Sequence, residues 1–214
     1  VSEGAKLIDE GIKVPILILK NIATDMIKDL LERNLIPTVC STDIAEEINS
    51  YGKIKNKRFK IHIKIDSGSF GDGIPYNEFD KFFKKLKKMN YIEIDGIYCH
   101  LASSYSIKND RVYWELKNFR VVLDYLLEKD VCVKFIHTAN SPLIFNHPEA
   151  HFNMVRVGTA LYGIPFINDS IDNRLKPAMT IKSKIMNIKK FKEGCIAGYG
   201  GYKKSSEPIT IAYI

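Results

Sequence analysis

The sequence predicts an α/β protein: an incomplete (β/α)8 TIM barrel followed by the first strands of an all-β domain. Three observations carry that prediction. Short apolar runs alternate with longer amphipathic ones through the first 165 residues, which is the rhythm of βαβ units and a parallel sheet. Polar residues gather at the carboxyl ends of those runs (Ser41, Asp66, His100, Asn140 with Ser141, and Arg156), the end at which barrels of this kind build their sites. After Gly163 the period changes to two, in "TIKSKIMNIKKF" (180–191) and "PITIAYI" (208–214), with no helix between them, as in antiparallel strands. The expected boundaries are 1–165 for the barrel and 176–214 for the start of the β domain.

Taken in order, "PILIL" (15–19) reads as a buried strand and 22–33 as a helix. "IPTVCS" (36–41) is a strand, and 42–52 a helix capped by Ser41 or Thr42, with Glu46 and Glu47 near its first turn. "KIHIKID" (60–66) is a strand, "SGSFGDG" a glycine-rich loop, and 76–89 a helix. "IEIDGIYCH" (92–100) is a strand, followed by a long helix from Asp110 to Glu128; "VKFIHTA" (133–139) and "FNMVRVG" (152–158) supply two more strands. That makes six strands where a closed barrel needs eight. Val1 opens directly into a helical pattern (Val1, Ala5, Ile8, Ile12), so the expectation is that the barrel's first strands precede it and that the β domain continues past Ile214.

The composition is that of an ordinary globular chain, with 45% hydrophobic and 27% charged residues in 214. No apolar run is long enough to span a membrane, and "VSEGAKLIDEG" lacks the apolar core of a signal peptide. The net charge of +7 invites a nucleic-acid reading. Against it, the lysines fall in stretches such as "KFFKKLKKMN" beside Phe82, Phe83 and Leu86, the pattern of a solvated helix face over a buried stripe. The four cysteines are scattered with no C-x-x-C, which fits a reducing, cytoplasmic compartment.

The chemistry concentrates in "HTANSPLIFNHPEAHFNMVRVGTALYG" (His137–Gly163). Ser141 offers a hydroxyl, while Gly158 and Thr159 offer backbone N–H groups with no Cβ at Gly158 to block close approach, a phosphate grip usual after the last strands of a barrel. Arg156 cannot act as acid or base; it can donate hydrogen bonds and stabilise negative charge. Together they suit a phosphorylated aromatic cofactor whose ring nitrogen needs a partner, as pyridoxal 5'-phosphate does.

That stretch resembles the hallmark of alanine racemases, with "KIDSG" (64–68), "GIYCHLA" (96–102) and "AGYGGY" (197–202) in the family's order and spacing. The resemblance implies a pyridoxal-phosphate enzyme with a barrel and a β domain, acting as a homodimer on alanine or a close relative. It implies that Arg156 pairs with the pyridine nitrogen, that His100 hydrogen-bonds Arg156, and that Asn140, Ser141, Gly158 and Thr159 belong to the cofactor site. The family's two bases, a Schiff-base lysine and a tyrosine, would fall before Val1 and just past Ile214, so no catalytic residue is expected within the chain. D-alanine feeds cell-wall synthesis, which implies a bacterial setting.

One departure stands out. The family's loop after "KID" carries an arginine near the cofactor, whereas Gly71 and Asp72 stand here and no arginine occurs between Arg58 and Arg111. The family lysine matching Lys64 is often carbamylated to pair with that arginine, which makes Lys64 a candidate modified residue. The departure leaves open a racemase for another amino acid such as serine, or a related decarboxylase; a non-catalytic pyridoxal-phosphate-binding barrel is the rival of a different class. Lys64 as the Schiff-base residue is disfavoured, since the family's lysine comes from an earlier strand. His137 is expected to pack at a strand end. His147 and His151 are expected in a loop; a proline lies between them and no third ligand is in sight, so no metal site is expected. Tyr199 and Tyr202 are expected to pack the β domain or line a partner's site.

Overall fold

The computed structural model describes residues 1–105, 110–164, 175–196 and 205–214. Their backbone divides into two compact units, Val1–Lys176 and Pro177–Ile214.

The first unit is a parallel sheet clothed by helices. Its strands are β1 (Thr38–Val39), β2 (Phe59–Asp66), β3 (Ile74–Pro75), β4 (Ile92–Cys99) and β5 (Phe135–His137). They are ordered β1-β2-β4-β5, and β3 extends the sheet beside the last two residues of β2. Strands β2 and β4 form the centre, paired in parallel from Phe59↔Ile92 to Ile65↔Cys99. Alternation explains both faces of β2. Phe59, Ile61, Ile63 and Ile65 enter the apolar core, while Lys60, His62, Lys64 and Asp66 take the opposite face.

The helices follow from their apolar stripes. α1 spans Ser2–Asp9, α2 Ile27–Glu32, α3 Thr42–Lys55, α4 Phe79–Leu86, α5 Asp110–Glu128 and α6 Ser141–Asn146. Ser41 caps α3 by accepting from Ile44 N–H (3.3 Å), and Asn56 ends it in the left-handed region. In α4, Phe79, Phe82, Phe83 and Leu86 are buried while Lys81, Lys84 and Lys85 face solvent, so its positive charge is a solvated helix face. In α5, Val112, Leu116, Phe119, Val122 and Leu126 form the stripe.

Two of the six expected strands are absent. Residues 15–19 contribute only an isolated parallel bridge, Leu17↔Ile36. Residues 152–158 run beside β5 without forming a strand. Phe152 is left-handed (φ 48°), and the Asn153 side chain takes over part of the backbone ladder: its Oδ1 accepts from Ile136 N–H (2.7 Å) and its Nδ2 donates to Lys134 O (2.9 Å). The fifth strand of the sheet, Ile74–Pro75, was not expected from sequence. It exists because the preceding Gly73 presses on β2, where a Cβ would lie 2.5 Å from Asp66 N. The helix expected at 22–33 shortens to a 3-10 turn at Thr24–Met26 followed by α2.

In the second unit, β6 (Asn187–Phe191) and β7 (Ile209–Tyr213) form an antiparallel pair with register from Asn187↔Tyr213 to Phe191↔Ile209. The expected strand at 180–191 therefore begins only at Asn187. Among the described residues, no helix is long and apolar enough to cross a membrane. "AGYGGY" (197–202), with Tyr199 and Tyr202, lies outside the described residues.

Candidate functional site

Arg156 lies at the carboxyl ends of β4 and β5, and its terminal nitrogens are fully engaged. Nη1 donates to His137 Nδ1 (2.7 Å) and His137 O (3.0 Å); Nη2 donates to Cys99 O (3.0 Å) and Thr138 O (3.1 Å). A guanidinium has five N–H groups, so four are accounted for and, among the described residues, Nε–H remains. Its backbone is tied down as well, through Arg156 N–H to Ala139 O (2.9 Å). The guanidinium sits over the Tyr98 ring, 5.2 Å from its centroid. Among the described residues no carboxylate pairs with it, and burial pulls its pKa below the ordinary arginine value. A partly buried cation without an anion beside it is costly to keep, which makes Arg156 a candidate functional residue.

Tyr98 and His137 hold this guanidinium. Their rings stack at 4.7 Å with planes 8° apart, and the Tyr98 hydroxyl donates to Leu19 O (2.8 Å) within reach of Thr38 Oγ1 (3.0 Å). Behind His137, its Nε2 meets His62 Nδ1 at 2.9 Å, and His62 Nε2 stands 4.0 Å from Asp95 Oδ2. Burial, then the positive charge of Arg156, pushes His137 down to about 2; burial pushes His62 down to about 4 although Asp95 opposes it.

The second half of the site is the turn around Ser141. Its Oγ accepts from Gly158 N–H (2.8 Å) and Ala160 N–H (3.3 Å), so two backbone donors converge on one hydroxyl. A Cβ at Gly158 would sit 3.6 Å from that oxygen, filling the concavity. Ser141 is buried, whereas Gly158 and Thr159 are exposed at the rim. With Gly158 and Ala160 N–H spent on its oxygen, the Ser141 hydroxyl keeps its own O–H to donate to an anionic group such as a phosphate at the exposed Gly158–Thr159 rim, and the Arg156 Nε–H fits a neutral acceptor such as a pyridine nitrogen.

The structure brings Ser141, Arg156, Gly158 and Thr159 together in one stretch and assigns the other sequence candidates different places. Asn140 caps α6, its Oδ1 accepting from Leu143 N–H (3.4 Å) while its Nδ2 donates to Ser104 Oγ (2.9 Å), so it fixes where Ser141 begins. His100 ends exposed at the tip of β4, and the hydrogen bond expected between it and Arg156 is made by His137 instead. Arg156 and Gly158 share no strand face, because 152–158 is not a strand. Lys64 Nζ donates to Asp72 in an ion pair. A carbamate there would set a second negative group against the Asp72 carboxylate. His147 pairs with Glu149 (2.9 Å) and His151 with Ile144 O (3.0 Å), both structural contacts. Among the described residues no group of three or more His, Cys, Asp or Glu side chains is placed to hold a metal.

Sequence reasoning missed His62, Tyr98 and Asp95 and gave His137 only a packing role. The signal was present in parity: "KIHIKID" places His62 between two lysines on the polar face of an otherwise apolar strand.

Comparison with known proteins places the chain in a family. The sequence profile "Alanine racemase, N-terminal domain" matches residues 1–165. The alanine racemase of Desulforamulus reducens is 34% identical over 204 residues, covering 94% of this chain and 55% of that protein. That of Methanococcus maripaludis is 32% identical, covering 99% and 57%. Among solved structures, alanine racemase from Clostridium difficile superposes with a TM-score of 0.82 at 33% identity, over 99% of this chain and 56% of that one. The Bacillus anthracis enzyme with bound L-Ala-P superposes with a TM-score of 0.78 at 28% identity, over 99% and 56%. The chain thus spans little more than half the length of the relatives it matches, and it belongs to the alanine racemase family.

Proposed function

We propose that this chain supplies the cofactor-holding part of a pyridoxal-phosphate-dependent alanine racemase. The observation that carries the reading is the partly buried Arg156 guanidinium, which among the described residues has no anion beside it, four of its five donors engaged and Nε–H left over. Pyridoxal phosphate, when bound, supplies the electron sink that makes the α-proton of an amino acid removable. The residues here do the holding. Arg156 donates one hydrogen bond through Nε–H to the ring nitrogen and, because it does not give up its proton, leaves that nitrogen unprotonated. Ser141, Gly158 and Thr159 receive the phosphate, the serine by its O–H and the other two at the exposed rim. Asn140 acts behind Ser141 as its support. The first unit is the cofactor domain, and the second opens the β domain. Neither racemisation base is assigned to a residue of this chain.

The amino-acid substrate is alanine, the whole protein is a cytoplasmic homodimer, and Lys64 stays an ammonium paired with Asp72. The names of the relatives support the substrate, and the four free cysteines support the compartment. The Lys64–Asp72 pair, in the loop where the resemblance leads one to expect an arginine, favours a second reading as a racemase for a neighbouring amino acid such as serine.

Two measurements test this. Titration of the chain with pyridoxal phosphate, pyridoxal and inorganic phosphate separates the two halves of the site. Pyridoxal phosphate is expected to bind tightest, with Ser141→Ala weakening phosphate and pyridoxal phosphate but not pyridoxal. In the full-length protein, α-deuterium exchange into L-alanine faster than into L-serine supports the alanine reading, and the reverse order supports the second. Exchange into neither removes the racemase assignment.

A further inference from the structure

Behind Arg156 runs a line of polar side chains that crosses the sheet from its carboxyl-end rim toward its amino end: His137, His62, Asp95 and Lys60. Two features of backbone build it. The register between β2 and β4 slips at Ile61/His62, so that Ile61 pairs Ile94 but His62 pairs Gly96. Asp95 is the extra residue of that bulge, which turns its carboxylate toward β2, where Oδ1 accepts from Lys60 Nζ (3.0 Å). Gly96 then leaves β4 bare where the His62 ring lies, since a Cβ there would fall 2.3 Å from the ring. The His62 ring therefore spans β4 to reach His137 on β5.

The proton positions along this line follow from its ends. An arginine only donates, so His137 Nδ1 must accept and His137 carries its proton on Nε2. That proton points at His62 Nδ1, which must accept in turn, so His62 also carries its proton on Nε2. His62 Nε2–H then faces the Asp95 carboxylate at 4.0 Å, a group that only accepts when ionised. Both ends demand the same arrangement, and both rings are held neutral by burial.

We propose that His62 is a positioning residue for Arg156: oriented by Asp95, it accepts the Nε2 proton of His137 and so keeps His137 Nδ1 available to hold the guanidinium with its Nε–H free. Without an acceptor at His62, the buried His137 Nε2–H is unsatisfied, and the tautomer that presents a bare Nδ1 to Arg156 Nη1–H loses the hydrogen bond that favoured it. The value of this aim to cofactor binding rests on the function proposed above, but the arrangement is read from the chain without ligand, so either reading can fail alone.

The test is nitrogen-15 NMR on the chain with labelled histidine and arginine, at neutral pH. The expected result is that His137 and His62 each show a protonated Nε2 and a bare Nδ1. His62→Leu is expected to give His137 mixed tautomers and speed Arg156 Nε–H exchange about tenfold. His62→Asn, whose amide oxygen replaces Nδ1 as acceptor, is expected to restore both signals, although it too lacks the imidazole. A proton on Nδ1 of His137 in the unmutated chain overturns the proposal whether or not either variant folds. So does a folded His62→Leu variant with unchanged signals, or a folded His62→Asn variant as perturbed as the leucine variant.

Discussion

Arg156 and Gly158 stand two residues apart in one segment, yet they are held in opposite ways. Arg156 is locked by four side-chain hydrogen bonds, an aromatic floor and a histidine line behind it. Gly158 is exposed, and its N–H rests on the Ser141 hydroxyl. The difference teaches that the site separates an interior fixed by the sheet from a rim that a ligand completes. Changes at the interior should cost fold and binding together, whereas changes at the rim should cost binding alone.

The largest expected effect is at the interior. Arg156→Ala leaves three carbonyls and His137 Nδ1 without a donor, and hydrogen bonds to a charged group contribute about 1.5–3 kcal/mol each, partly recovered by water. A loss of about 3–5 kcal/mol in urea unfolding is expected, together with loss of pyridoxal-phosphate binding; an unchanged midpoint would break the comparison.

Acid comes next. His137 and His62 titrate below the ordinary histidine value of 6.5 in the fold, so the unfolded chain binds two more protons than the native one as the pH falls. Their contribution is complete above pH 6.5 and declines as the pH falls through the range down to about 4, where His62 itself titrates. Each contributes a slope of about 1.4 kcal/mol per pH unit, so a drop of about 2–4 kcal/mol between pH 6.5 and 5 is expected from urea midpoints. His62→Asn should roughly halve that slope, and an unaltered slope would mean that His62 is protonated in the fold.

Gly96→Ala should cost about 1–3 kcal/mol, because the added Cβ meets a buried ring held through Nδ1 by His137 rather than a side-chain end free to swing. Thermal unfolding reads it, and a neutral result would show that His62 can leave Gly96 without penalty. Ser141→Ala frees two N–H groups at a rim that water reaches, so about 1 kcal/mol or less of stability is expected, with phosphate affinity falling at least tenfold. A large loss of fold with binding intact would reverse the interior–rim distinction. The smallest effect is none at all: the intact mass of the chain should show no carbon dioxide added to Lys64, because Asp72 occupies its amine.

What was legible in the sequence was what repeats or stands alone. Helices α3, α4 and α5 declared themselves by apolar stripes, and β2 and β4 by apolar runs long enough to be strands. Ser141, Arg156 and Gly158 were conspicuous as polar or minimal residues at the ends of such runs. The segment 152–158 misled because Val155 and Val157 imitate strand alternation, while the structure depends on a left-handed Phe152 and an asparagine side chain that takes over part of the ladder. His100 was expected as the partner of Arg156 from the family resemblance; His100 and His137 both end strands, and only the three-dimensional register decides which ring the guanidinium meets. The His62–Asp95 line was illegible for a similar reason. It needs a one-residue slip between β2 and β4, and a slip reverses which side chains face inward without changing the composition of either strand.

The most direct measurement follows the Arg156 Nε–H and Gly158 amide signals of the labelled chain during separate additions of pyridoxal phosphate, pyridoxal and inorganic phosphate. The account predicts that Arg156 Nε–H shifts with both pyridine compounds and not with phosphate, and that the Gly158 amide shifts with both phosphate compounds and not with pyridoxal. An Arg156 signal unmoved at saturating pyridoxal phosphate would contradict it.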